Sequence, residues 1–284
     1  MRTDLGKGVS VLDTGATMVG LLSTDSGVVL IDSGSGKSQA KELDKMIGAP
    51  VEAVLHTHTH ADHIGGSAYF QNKYKSKIYI PAGELSFAVS TELEGSLLFG
   101  GASPEPLQNR FIMAQKTEAE VLTNGLFDLC ALATYGHSPA HTSFLTGDIL
   151  FIGDAILAPE VTEKHKLLYF YDALRSLDAL DIIGGTEFQT AVLCHHGIFD
   201  RKDILSFIDA QKEHVAKAKM AVLKHCNNKS AEEICADIAA ELDLRQEPSA
   251  WYLALSTVKG YLSGLLKEKC VSVFYEQGLK WARL

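Results

Sequence analysis

No C-x-x-C pair occurs in the sequence, whose five cysteines, Cys130, Cys194, Cys226, Cys235 and Cys270, are scattered and odd in number. That excludes zinc-ribbon and dithiol redox chemistry and predicts reduced thiols in a cytosolic setting. No run approaches the roughly 18 apolar residues needed to cross a bilayer, and Met1 to Gly8 lack the apolar core of a secretory signal, so a cytoplasmic location without membrane contact is expected. Positive charge is also short: 26 Lys and Arg against 35 Asp and Glu give a formal charge of −9. With no Lys/Arg stripe to override that field, nucleic acid is disfavoured and a small-molecule substrate is expected. A serine nucleophile is not indicated either, because no G-x-S-x-G motif is present. What remains is an ordinary globular composition over 284 residues, 46% hydrophobic and 21% charged, enough for one large domain or a large and a small one.

Short apolar segments punctuated by turns open the chain: Val9 to Leu12, Met18 to Ser23 and Val28 to Asp32 read as strands. Helical spacing over 37–47 (Ala40, Leu43, Met46, Ile47) leads to a buried strand Val51 to Leu55, and the strand-helix-strand rhythm continues to Ile78 to Ile80. Residues 81–125 interrupt it, with a helix predicted near Glu84 to Leu98 and a proline-containing connector, as an insertion near the site. Strands are predicted again at Leu129 to Thr134, Ser143 to Leu145, Ile149 to Ile152 and Ala191 to Cys194, with a helix around Tyr169 to Leu180. From residue 202 helical patterns dominate: Ile204 to His225, Ser230 to Leu242 opened by a Ser230/Glu233 capping box, and Pro248 to Leu266, before a terminal hairpin from Cys270 to Leu284. Two domains are therefore expected: an α/β catalytic domain, residues 1–201, and a small, mostly helical, winged-helix-like module, residues 202–284. The module's balanced charge favours packing or homodimerisation over nucleic-acid binding.

The run His56-Thr57-His58-Thr59-His60-Ala61-Asp62-His63-Ile64-Gly65-Gly66 places four histidines and an aspartate in eight residues where a buried strand ends. Extended backbone sends i and i+2 to one side, so His58 and His60 can converge on one ion, while Asp62 and His63 at the following turn address a second. Imidazole and carboxylate are ligands that divalent metals such as zinc, iron and manganese accept. One cluster cannot close two coordination spheres, and three further strand ends supply the rest: Gly136-His137-Ser138-Pro139-Ala140-His141, Phe151-Ile152-Gly153-Asp154, and Cys194-His195-His196-Gly197. A carboxylate ending an apolar strand is costly unless a cation or hydrogen bonds satisfy it, which makes Asp154 the natural bridge.

Taken in order, T-H-x-H-x-D-H-x-G-G, G-H-[ST]-P-x-H, G-D and a terminal H-G resemble the metallo-β-lactamase superfamily across roughly residues 9–200. The resemblance implies a four-layer αββα sandwich with the metals at the ends of two sheets. It implies His58, His60 and His137 on one divalent ion, Asp62, His63 and His196 on the other, and Asp154 between them, with Asp32 orienting ligands from behind. His196 is favoured over His195 because it directly precedes Gly197. Ala140 stands in place of a common glycine. Asp154 stands where several true β-lactamases carry cysteine or serine, which argues against antibiotic hydrolysis.

The activity this implies is dinuclear metal-dependent hydrolysis by a hydroxide between two ions, with zinc the default metal and Asp62 orienting the attacking oxygen. A thioester or ester of the glyoxalase II type is the leading substrate class, and a phosphodiester is the alternative. His165, Tyr169 and Tyr171, between Asp154 and His196, are candidates for substrate contact.

Overall fold

The computed structural model describes residues 1–284. Seven strands form the first sheet in sequential order: β1 (Arg2–Gly6), β2 (Val9–Asp13), β3 (Met18–Ser23), β4 (Val28–Ile31), β5 (Val51–Leu55), β6 (Lys77–Ile80) and β7 (Glu120–Val121). Pairing is antiparallel from β1 to β4 and parallel from β4 to β7. The parallel part is connected by α1 (Lys37–Ile47) between β4 and β5, and by α2 (Ala61–Ile64) and α3 (Ser67–Tyr74) between β5 and β6. Two short helices, α4 (Leu85–Val89) and α5 (Glu92–Phe99), follow β6. The second sheet contains β8 (Cys130–Ala133), β9 (Thr142–Thr146), β10 (Ile149–Gly153), β11 (Thr190–Leu193) and β12 (Gly197–Asp200), in the order β12-β11-β10-β9-β8. Helices α6 (Pro159–Lys164) and α7 (Arg175–Gly185) lie between β10 and its parallel neighbour β11.

Strand alternation explains the layering. In β4, Val29 and Ile31 enter the core between the sheets while Val28 and Leu30 pack on α1 and α3. In β10, Ile149 and Phe151 face the first sheet while Leu150 and Ile152 meet α7 and the start of the next helix. Both faces of these strands are buried, so each reads as a continuous apolar run, and the result is the expected αββα sandwich. No helix is long and apolar enough to cross a membrane.

Residues beyond Asp200 form α8 (Arg201–His225), a short strand β13 (Asn227–Lys229), α9 (Ala231–Glu241), α10 (Pro248–Lys267) and the hairpin of β14 (Val271–Tyr275) with β15 (Leu279–Arg283). Strand β13 pairs with β15 and has no apolar pattern to announce it. The capping box at Ser230 and Glu233 forms as read. These helices share a core with Leu168, Phe170 and Ala173, which precede α7. Helix α10 approaches that segment so closely that a Cβ on Gly260 would sit 2.8 Å from the Tyr171 carbonyl oxygen.

Several elements differ from expectation. The helix predicted near Glu84 to Leu98 is two helices broken at Ser90. The helix predicted from Tyr169 begins only at Arg175, because the Tyr171 and Asp172 amides donate to the carbonyls of His137 and Gly136 instead of continuing a helical turn. Strand β1 went unrecognised because its residues are exposed or half-buried at the sheet edge and carry no apolar stripe.

Candidate metal centre

Parallel strands deliver their C-terminal ends to one edge of the sandwich, where backbone leaves the ladder and side chains are free to converge. Asp32 follows β4, the His56–His63 run follows β5, Asp154 follows β10, and Cys194 and His195 follow β11. The loop bearing His137 follows β8.

Two groups of donor atoms result, each with its atoms within 4.8 Å of one another: His58, His60 and His137 in one, and His63, Asp154, Cys194 and His195 in the other. Asp154 joins them. Its Oδ2 lies 3.4 Å from His63 Nε2, 3.6 Å from His137 Nε2 and 3.3 Å from His195 Nε2. Asp62 reaches the second group through His195 Nε2, 3.3 Å from its Oδ2.

The residues behind the histidines decide which nitrogen is bare. Asp32, buried, accepts from the Thr57 amide at 2.9 Å and the Thr57 hydroxyl at 2.9 Å. The hydroxyl's proton is thereby used, so it accepts from His58 Nδ1, 3.0 Å away, leaving His58 Nε2 without a hydrogen. His63 donates from Nδ1 to Asp32 Oδ2 at 2.8 Å, which turns Nε2 toward Asp154. His195 is held in the same way by donating from Nδ1 to the Ala16 carbonyl at 3.1 Å, its Nε2 again facing Asp154. One carboxylate and one carbonyl thus orient three imidazoles toward a common space. His141 behaves differently: its Nε2 accepts the Asp154 amide at 3.0 Å and its Nδ1 faces the Thr134 hydroxyl at 2.9 Å, so both nitrogens are committed and it positions Asp154.

The donor set fits divalent cations. His58 Nε2, His63 Nε2, His137 Nδ1 and Asp154 Oδ1 are buried without a hydrogen-bond partner, an arrangement that costs roughly 1–3 kcal/mol per atom unless something else engages them. His137 Nε2 and His60 Nδ1 stand 2.9 Å apart, a spacing that requires a shared proton or cation. Burial, reinforced by neighbouring imidazoles, pushes His58 and His137 well below the usual range, so both are neutral as ligands must be. Asp154 pushes His195 up to about 12, the response of a carboxylate-rich pocket calling for positive charge.

Of the seven sequence-predicted ligands, the structure brings His58, His60, His63, His137 and Asp154 together and sets Asp62 beside them. The seventh, His196, is exposed and lies outside both donor groups, and its neighbour His195 stands among the donor atoms of the second. The pairing of Leu193 with Gly197 closes a three-residue turn over Cys194, His195 and His196, and the residue directly after the buried Cys194 points inward. Three other residues were missed. Cys194 lies behind His63, its sulfur 3.7 Å from Nδ1 and 3.8 Å from the Met18 carbonyl, and burial pushes its thiol up. Glu94 stands 3.6 Å from His60 Nε2, and burial raises its carboxyl. Glu84, fully buried, accepts from the Thr59 amide at 2.8 Å, the Thr59 hydroxyl at 2.9 Å, the Ala140 amide at 2.8 Å and the Ser138 hydroxyl. It ties the His58–His60 loop to the His137–His141 loop. Nothing in its sequence context signals this. Of the aromatic candidates, Tyr169 has its ring 5.6 Å from His60 and 5.9 Å from His137, whereas Tyr171 is turned toward solvent.

Residues 12–195 match the model of the metallo-beta-lactamase superfamily. The chain is 28% identical over 166 residues to an atrochrysone carboxyl ACP thioesterase of Aspergillus fumigatus, covering 56% of this chain and 46% of that protein. It is 29% identical over 168 residues to a hydroxyacylglutathione hydrolase of Thiobacillus denitrificans, covering 59% and 56%. The match thus spans about half the length of these curated relatives. A metallo-beta-lactamase family protein of Thermus thermophilus shares the fold at a TM-score of 0.72 and 19% identity, over 99% of this chain and 100% of that one. The family model, running from β2 to the histidine that completes the second donor group, coincides with the layers and strand ends that build the centre, and the chain belongs to the metallo-beta-lactamase superfamily.

Proposed function

We propose that this protein is a metal-dependent hydrolase that holds two divalent ions, one through His58, His60 and His137 and one through Asp62, His63 and His195, with Asp154 shared, and that it cleaves a small-molecule thioester or ester. The observation that carries the reading is the convergence of five histidines on the Asp154 carboxylate, with His58 Nε2, His63 Nε2 and Asp154 Oδ1 buried and unpartnered. Bound divalent ions supply polarisation of a carbonyl oxygen and a water whose pKa falls to about 7. With nitrogen and oxygen donors, zinc is the first expectation, and iron or manganese would also be accepted.

The chain's own residues do the remaining work. Asp62, half-exposed at the mouth of the centre and kept ionised by His63 and His195, accepts a hydrogen bond from an incoming water and directs its lone pair inward. Burial and the charge of Glu94 push the Tyr169 phenol up, so it keeps its proton and donates to a substrate oxygen or to the departing group. Water adds across the acyl–sulfur or acyl–oxygen bond, and a carboxylic acid and a thiol or alcohol leave. The names of the two relatives, a thioesterase and a hydroxyacylglutathione hydrolase, support the thioester class.

Elemental analysis of the purified protein and of His58→Ala and Asp154→Ala tests the centre: about two ions per chain, lowered in both variants, are expected. Turnover of S-lactoylglutathione exceeding that of bis(p-nitrophenyl) phosphate is expected next. The reverse preference would replace the thioester reading with a phosphodiesterase, and no metal after reconstitution would refute the hydrolase.

A further inference from the structure

A cavity of about 340 Å³ opens from His137 and Asp154. Its walls are apolar: Leu157, Val161 and Leu168 come from α6 and its flanks, and Leu253 and Ala254 from α10. Lys164, Lys166 and Arg245 line the same cavity and are exposed, and no carboxylate lies within ion-pair distance of any of them. Three unpaired cations around one pocket run against a chain of net charge −9. Their closeness shows in His165, which partial burial and the charges of Lys164 and Arg245 hold below the usual imidazole range. One end of the pocket therefore meets the metal-binding residues, the middle is walled by apolar side chains, and at the rim Lys164, Lys166 and Arg245 outnumber the one exposed carboxylate, Asp243. Small-molecule sites combine an apolar wall with a few polar anchors in this way.

We infer that the substrate carries an anionic group separated from its scissile acyl bond by an apolar segment, with the bond at His137 and Asp154, the segment against α6 and α10, and the anion on Lys164, Lys166 and Arg245. This rests on the hydrolase reading above and specifies its substrate. The shared chemistry is a carboxylate or phosphate, arising either at the far end of the acyl chain or on the thiol arm.

Three thioesters with one acyl length separate these sources: decanoyl-N-acetylcysteamine, which is neutral; its counterpart whose chain ends in a carboxylate; and decanoyl-coenzyme A, whose thiol arm carries phosphates. The metal-loaded enzyme is expected to prefer at least one anionic thioester over the neutral one by about tenfold or more, chiefly through KM, equivalent to about 1.4 kcal/mol. That preference is expected to shrink with added salt and to collapse toward unity in the double variant K166A/R245A. Which anionic compound is preferred locates the charge. Equal use of all three by the wild type, or a preference the double variant retains, overturns the inference. If none is turned over, the thioester reading itself fails, and calorimetric binding of coenzyme A and decanedioate then judges the rim. Binding weakened about tenfold in the double variant sustains the anion site, and binding that is absent or unchanged refutes it.

Discussion

Glu84 accepts four hydrogen bonds from two loops that the chain keeps far apart, and its removal is the sharpest test of how the centre is held. In Glu84→Ala the hydroxyls of Thr59 and Ser138 can rotate to other partners, but the amides of Thr59 and Ala140 cannot. Two buried N–H groups stranded at roughly 1–3 kcal/mol each give a loss of about 4 kcal/mol. For a chain of this size that corresponds to a Tm lower by ~10 °C. Glu84→Gln keeps one accepting oxygen and turns an NH2 group toward the donors of the other loop, so about half the loss, ~2 kcal/mol, is expected. Thr59 sits between His58 and His60, and Ala140 between His137 and His141, so metal content at a fixed concentration of competing chelator should fall in the same order. Thermal unfolding and elemental analysis of the three proteins read both quantities. A Glu84→Ala protein that melts within about 2 °C of wild type and retains its full metal complement would refute the staple.

His195→Ala is expected to reduce metal content and kcat/KM by more than the roughly 10- to 100-fold typical of residues that only support a ligand, whereas exposed His196→Ala should stay within about twofold; the opposite ranking would return His196 to the site. Gly153→Ala should lose roughly 2 kcal/mol in urea unfolding, because φ is +64° and the new Cβ would meet His141 Nε2 at 2.6 Å; unaltered stability would dismiss the steric account. His141 is held at about 4, by burial first, against 6.5. The folded state therefore binds fewer protons than the unfolded chain as pH falls from 6.5 toward 4, and up to ~3 kcal/mol of stability is lost over that window; a stability-against-pH slope no shallower in His141→Asn than in wild type would contradict this. Chelation should lower Tm and excess zinc restore it, since ligand at about a hundred times Kd stabilises by ~2.7 kcal/mol; a melting curve indifferent to both would sever the centre from folding.

Much of the architecture is legible because both faces of its central strands are buried: Val28-Val29-Leu30-Ile31 and Ile149-Leu150-Phe151-Ile152 cannot be partly solvated, and two such sheets need helices outside and each other inside. The ligand-bearing loops are legible because histidine and aspartate recur in a fixed order at the ends of several apolar strands; singly such residues are as often structural, as Asp32 and His141 are here. Where inference slipped, tertiary contacts outweighed local pattern. Residues 169–174 carry helical spacing but spend their amides on the His137 loop. His195 and His196 are chemically identical in sequence, and only the length of the turn before Gly197 separates them. Glu84 and Glu94 lie in an insertion whose helical pattern carries no sign of their partners, and their meaning comes from what folds around them. The apolar cavity combines α6 with α10, about ninety residues apart, so no local reading could assemble it.

Because the donor atoms straddle both sheets, the centre also imposes an order of events on a newly made chain. When the first sheet has left the ribosome, His58, His60, Asp62 and His63 are present, but His137, Asp154 and His195 are not. On the proposed ligand assignment, a half-made protein would offer only part of the donor set. The full set would exist only once β10 and β11 have docked, so a finished pocket rather than the emerging histidines would choose the ion.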